Sequence, residues 1–169
     1  MKKILLLLLI CFAQNLFAQK VFTYSDFSYT IKGNNEITIT GYNGYSSSVD
    51  IPSVIDGKIV TTIGDGAFYD CDSLTSITIP NSVTTIGSEA FYGCYSLTSI
   101  TIPNSVTTIG EYAFYDCDSL TSITIPNSVT TIGNYAFSDC NSLIIQCNSG
   151  SYAKEYCEYF RIKYLVTPD

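Results

Sequence analysis

Apolar and polar positions along this chain recur with a period of 23 residues. Val-Thr-Thr-Ile-Gly stands at 60–64, 83–87, 106–110 and 129–133. Ala-Phe follows at 67–68, 90–91, 113–114 and 136–137, and a cysteine at Cys71, Cys94, Cys117 and Cys140. Ser-Leu-Thr-Ser-Ile-Thr-Ile-Pro-Asn-Ser fills 73–82, 96–105 and 119–128. Within one unit, Ser99-Ile100-Thr101-Ile102 alternates strictly. This predicts a half-buried strand with Ile100 and Ile102 facing inward and Ser99 and Thr101 outward. Pro103-Asn104 ends the strand, because Pro presets a turn φ and Asn tolerates the position after it. Val106–Ile109 predicts a second short extended piece, and Gly110 a sharp, left-handed bend. Ala113, Phe114 and Cys117 are the apolar points of a return path that Asp118-Ser119 closes.

A single unit of this length buries too few large apolar side chains to offset the entropy of ordering it. The units therefore stack, sharing ladder hydrogen bonds with strands about 4.8 Å apart, and successive strands run parallel because each coil repeats the same path. The predicted fold is a β-rich solenoid of repeats over residues 51–143, closed at both ends.

Outside the repeat, Phe27–Ile31 and Glu36–Thr40 flank Lys32-Gly33-Asn34-Asn35 and predict a β-hairpin, which assigns residues 19–50 to an N-terminal cap that covers an otherwise aggregation-prone edge. Ile51-Pro52 opens a divergent first unit that carries five extra residues before Ile79-Pro80, placed around Asp56-Gly57-Lys58. At the far end Ser142-Leu143 starts a strand, but Gln146 stands one period after Ile123. Residues 151–160 have helix-permissive composition and Ile162–Val166 reads as a closing strand, so residues 144–169 form a C-terminal helix and strand cap.

Residues 1–18 carry a different signal. Lys2 and Lys3 precede the apolar run Ile4–Ala13, and Ala18 offers a small residue at a cut site, the layout of a secretory signal peptide. The run is shorter than the roughly 20 residues a membrane helix needs, and no later segment is apolar for long enough, so the mature chain has no expected span. Cys11 lacks the small residues a lipidation site wants before it.

Composition then narrows the function. The formal charge is −7, and −9 once Lys2 and Lys3 leave with the leader. Nucleic acid is not an expected partner of such a chain, since phosphate binding rests on Lys and Arg. With no His in the sequence, His-activated nucleophiles and His metal ligation are excluded. No glycine-rich phosphate loop, nucleophile elbow or paired-carboxylate signature occurs. The chain reads as non-enzymatic, with no cofactor.

The pattern Leu-x-x-Ile-x-Ile-Pro…Val-x-x-Ile-Gly-x-x-Ala-Phe-x-x-Cys resembles the BspA-type leucine-rich repeat, over roughly residues 51–143. The resemblance implies a leucine-rich-repeat solenoid in a surface or secreted bacterial protein. It also implies adhesion to a protein partner such as host matrix or another cell surface, because the family's type member is an adhesin for matrix and clotting proteins. The motif encodes the scaffold, so it transfers no binding residue.

Several constellations are candidates for more than packing. Cys71, Cys94, Cys117 and Cys140 lie one per coil with parallel Cβ vectors. That geometry suits a buried ladder of small apolar thiols better than disulfides or a tetrahedral metal site. Phe68, Phe91, Phe114 and Phe137 form a second internal ladder. Cys147 and Cys157 fall outside the register and are a candidate disulfide across the C-terminal cap of an exported protein. Asp70, Asp72, Asp116, Asp118 and Asp139 gather at one corner, as Ca²⁺ ligands or as turn formers, and the turn role is favoured because Gly93 and Tyr95 flank Cys94 without an acid. On the outer strand face, Ser76, Ser99 and Ser122 form one hydroxyl row and Thr78, Thr101 and Thr124 another. These six residues are the candidate binding surface. The positions that vary between coils are Gly66, Glu89, Tyr112 and Tyr135, and Tyr69, Tyr92, Tyr115 and Ser138. Their tyrosines either anchor a partner or, as favoured here, shield the phenylalanine ladder. The functions expected are protein binding or adhesion outside the cytoplasm, then a structural spacer in an envelope or extracellular assembly, and last ice binding by the hydroxyl rows.

Overall fold

The structure, a computed structural model, describes residues 20–167. The proposed signal peptide and its cut after Ala18 lie outside the described residues. Among the described residues fourteen strands and one helix follow one another as β1 (Phe22–Tyr24), β2 (Phe27–Lys32), β3 (Glu36–Tyr42), β4 (Ser48–Asp50), β5 (Val54–Ile55), β6 (Lys58–Ile63), β7 (Ser76–Thr78), β8 (Thr85–Ile86), β9 (Ser99–Thr101), β10 (Thr108–Ile109), β11 (Ser122–Thr124), β12 (Thr131–Ile132), β13 (Ile144–Asn148), α1 (Tyr152–Phe160) and β14 (Tyr164–Thr167). They wind into a β-solenoid. Along one side β3, β6, β8, β10 and β12 are laid parallel, with β2 and β1 continuing the sheet antiparallel. The other side carries two shorter parallel sheets, β4-β7-β9 and β11-β13-β14.

Register repeats by one unit: Thr85 pairs with Thr108 and Thr108 with Thr131, while Ile77 pairs with Ile100. Each inward position therefore meets its own copy. Leu74, Leu97 and Leu120, Val83, Val106 and Val129, and Ile63, Ile86 and Ile109 are all buried. The backbone follows the same rule. On the strand side, donors point back, as from Gly110 N to Ile86 O at 2.8 Å. On the return path they point forward, as from Phe91 N to Ala113 O and from Phe114 N to Ala136 O, at 2.8 and 2.7 Å. Even the irregular part of each coil is thus held by its neighbour, which satisfies groups that a buried loop would leave orphaned.

The divergent first unit places its extra residues in a tight antiparallel hairpin of β5 and β6, with Asp56 and Gly57 in the left-handed region. Hairpin β2–β3 closes the N-terminal end, and β3 also serves as the first parallel rung through its pairing with β6. At the other end Ser151 caps α1, its hydroxyl accepting from Lys154 N at 3.3 Å, and Ala153, Tyr156 and Cys157 turn inward.

Two expectations are corrected. Gln146 does not take the place of Ile123. Ile123 pairs with Ile145, and Thr124 with Gln146, so the last coil is one residue shorter than 23 and its inward residue remains an isoleucine. Gly110 is not left-handed. Glycine stands there because the coils come too close for a side chain. An added Cβ would meet Gly87 C at 2.5 Å, and at Gly133 it would meet Gly110 C at 2.6 Å. The left-handed residues lie instead on the return path, at Gly66, Glu89, Tyr112 and Tyr135 and at Asp70, Gly93, Asp116 and Asp139.

Gly110→Ala is accordingly expected to lower unfolding stability by about 1–3 kcal/mol in urea titrations, the range for overpacking a tight site. Gly150→Ala, where an added Cβ meets nothing within 4 Å, is expected to stay within about 0.5 kcal/mol of the parent.

Candidate interaction surface

The inner ladders define what is unavailable for binding. Phe68, Phe91, Phe114 and Phe137 stack coil on coil with ring centroids 5.1, 5.1 and 5.2 Å apart, and none is more than 2% exposed. Tyr42 of the N-terminal cap stacks on Phe68, and Tyr156 of α1 meets Phe137 edge-on, so one aromatic column joins both caps. The cysteine thiols donate to a carbonyl in the preceding coil: Cys94 to Phe68 O, Cys117 to Phe91 O and Cys140 to Phe114 O, at 3.1, 3.2 and 3.0 Å. Burial pushes Cys71 up to about 11 and Cys94 up to about 12. Cys117 is held above the ordinary thiol range by its contact with Cys140 and then by burial. The same contact acts in the opposite direction on Cys140, so the pair releases one proton before the other.

Cys147 and Cys157 are both buried free thiols, so the cap disulfide considered from sequence is not present in this structure. Cys147 lies one residue past Gln146 on β13, on the inward side of the strand, and Cys157 lies on the inward face of α1. Burial and then the charge of Cys147 push Cys157 up to about 12.

Two outer faces remain. On the strand side Ser76 pairs with Ser99 and Thr78 with Thr101 in register, and β11 adds Ser122 and Thr124 beyond a break in the ladder. Thr78, Ser99, Thr101, Ser122 and Thr124 are exposed and Ser76 is half-buried. The rows end quickly. Asp50 pairs with Thr78 and ends the threonine row at one end, where the serine row gains only Ser48, and Ile144 and Gln146 pair with Ser122 and Thr124 at the other.

The return-path side carries tyrosines. Tyr69, Tyr92 and Tyr115 stack with centroids 4.9 Å apart at each step and planes 3° and 12° apart. Tyr112 stacks on Tyr135 at 5.4 Å and meets Tyr115 edge-on. Among the described residues, the ring contacts of Tyr69, Tyr92 and Tyr115 are with tyrosines. Tyr69 and Tyr135 are each 47% exposed. Acids border them: hydrogen bonding to Asp139, then burial, pushes Tyr115 up to about 12, and the charge of Asp116 raises Tyr95. Asp70, Asp116 and Asp139 occupy left-handed positions, which Asp tolerates better than most residues. This gives the corner acids a conformational role. Among the described residues no group of three or more His, Cys, Asp or Glu is placed to hold a metal ion.

Residues 37–161 match the BspA type leucine rich repeat region in six copies, and the chain belongs to that family. The match is wider than the span 51–143 recognised from the motif. The chain is similar to the Treponema pallidum (T. pallidum) leucine-rich repeat protein TpLRR, with 33% identity over 75% of this chain and 71% of that one, at a TM-score of 0.62. It is also similar to a leucine-rich repeat protein from Bacteroides capillosus, with 32% identity over 76% of this chain and 99% of that one, at a TM-score of 0.69. No curated protein matches. Leucine-rich repeats are protein-interaction repeats on a scaffold that is typically non-catalytic. Among the described residues no helix is long and apolar enough to cross a membrane.

In native protein at pH 8, Ellman's reagent is expected to modify half-buried Cys71 slowly and the other cysteines only on unfolding. Denaturation without reductant should then release all six thiols of residues 19–169; a count of four would mean that Cys147 and Cys157 have joined. Stability should also fall with rising alkalinity. Cys94 keeps its proton up to about pH 12 in the fold but only to about 9.0 when unfolded, so the unfolded chain binds fewer protons across that window. The urea midpoint is expected to decline from pH 9 upward, with a shallower slope in Cys94→Ala.

Proposed function

We propose that this protein is exported and acts outside the cytoplasm as a non-catalytic binding protein. Its solenoid engages a protein partner on host matrix or on another cell surface. The observation that carries this is the surface itself: a rigid, in-register scaffold that leaves ordered side chains of one kind exposed coil after coil. The charged and apolar leader of residues 2–18 supports export, and the family supports protein interaction. Both outer faces are available for contact. The hydroxyls of Ser76, Thr78, Ser99, Thr101, Ser122 and Thr124 supply hydrogen bonds, and the tyrosine row supplies contact area at low entropic cost.

A structural or spacer role is the second reading. It is favoured by β14, which pairs on one side with β13 and exposes Leu165 and Val166, at 55% and 47%. Ice binding loses ground, because the threonine row stops at Asp50 and Gln146 and the serine row, which reaches Ser48, stops at Ile144 after only a few ranks.

The test is saturable capture of a protein by residues 19–169, presented as a monomer to solubilised matrix and cell-surface preparations. Binding that saturates is expected. Self-association in sedimentation velocity with no capture would favour the spacer role, and thermal hysteresis would favour ice.

A further inference from the structure

We infer that the tyrosine face of the return path, Tyr69, Tyr92, Tyr115, Tyr112 and Tyr135, is the docking surface for an extended Lys- and Arg-rich segment of a protein partner. The inference rests on the protein-binding function proposed above and names the face and the chemistry of the partner.

Charge is the first argument. Residues 59–153 contain Asp65, Asp70, Asp72, Glu89, Glu111, Asp116, Asp118 and Asp139 and no Lys or Arg. The single ion pair among the described residues, Lys154–Glu158, lies on α1, so no described cation is ion-paired to these acids. Arg161 and Lys163 share a hollow with Asp139 at the C-terminal margin, and among the described residues Asp70, Glu89 and Asp116 are in no ion pair.

Ring geometry is the second. Tyr112, Tyr115 and Tyr135 line one cleft together with Ser138 and Asp139. Ring faces beside a carboxylate suit an ammonium or guanidinium group, which the ring quadrupole and the carboxylate attract together. In the row Tyr69-Tyr92-Tyr115 the ring faces are turned on one another, so across three coils it offers ring edges and hydroxyls while Asp70, Asp116 and Asp139 beside it supply the charge, and an elongated segment reaches more of these acids than a single small cation.

The third argument is conformational. Glu89, Tyr112 and Tyr135 sit at φ 56°, 54° and 56°, where the first coil has Gly66 at 62°. Glycine adopts this conformation without steric penalty, whereas a large side chain does not. Two tyrosines and a glutamate held there at a cost to the fold place rings and charge on the surface that the cation requires.

The probe is a fluorescein-labelled peptide of alternating Arg and Ser, with alternating Glu and Ser as its counterpart, titrated by anisotropy into residues 19–169. The Arg peptide should bind and the Glu peptide should not, with affinity falling as salt rises. Tyr69→Ser/Tyr92→Ser/Tyr115→Ser should weaken binding about tenfold or more. Because that variant removes stacking as well, Asp70→Asn/Asp116→Asn/Asp139→Asn provides a second measurement. Asn keeps the shape and tolerates the left-handed backbone, so this variant should fold, bind several-fold more weakly and show a shallower salt dependence. Binding unchanged in both variants, or lost equally in the off-face pair Glu36→Gln/Asp50→Asn on β3 and β4, overturns the assignment. So does partner capture that survives the tyrosine substitutions and fails with Ser99→Glu/Ser122→Glu; that outcome keeps the protein-binding function and moves it to the strand face. If wild-type protein captures no partner but binds the Arg peptide through the tyrosines, the proposed function fails and the cation-binding face stands.

Discussion

Everything in this molecule depends on coils lying one β-ladder apart with each residue set on its own copy. The spacing is imposed by backbone hydrogen bonds that run from coil to coil on both the strand side and the return path. Once it is imposed, side chains have little choice. Flat rings stack at about the ladder distance, so phenylalanine can recur at one position in every coil. Thiols fit beneath the carbonyls of the preceding coil. Glycine recurs at 64, 87, 110 and 133 because backbone approaches backbone there. A coil without neighbours loses these partners together, which is why both ends need caps that continue the aromatic column through Tyr42 and Tyr156.

The same constraint shapes the outside. Whatever projects outward is also repeated at ladder spacing, so the surface is a set of straight rows. The hydroxyl rows are polar and short. The tyrosine row is aromatic, partly exposed and bordered by acids. A scaffold of this kind spreads equivalent groups along a line, which suits recognition of an extended partner by many modest contacts.

Much of the interior was legible before any coordinates. The pattern located Ile100 and Ile102 as inward and Ala113, Phe114 and Cys117 as the apolar points of the return path, and all are buried. Alternation in Ser99-Ile100-Thr101 placed the hydroxyls outside. The hairpin of β2 and β3, the place of the extra residues around Asp56-Gly57, the helix after Ser151 and the closing strand also follow from local chemistry. The last coil was misread because periodicity assumes that every unit has the same length, and one deleted residue moves Ile145 into the place that counting assigns to Gln146. Gly110 was misread for a related reason: a glycine kept for φ and one kept for close approach look the same in a sequence. The tyrosines were found by register, but whether they lie on the phenylalanines or on one another depends on how the return path is turned.

By itself the sequence determined the repeat, the inward and outward sets and the absence of histidine chemistry, because alternation, spacing and composition are local properties of the chain. Only the tertiary structure decided the left-handed turns at Glu89, Tyr112 and Tyr135 and the stacking of Tyr69, Tyr92 and Tyr115. These depend on how one coil sits on the next, and that contact is set by distances between residues far apart in the chain.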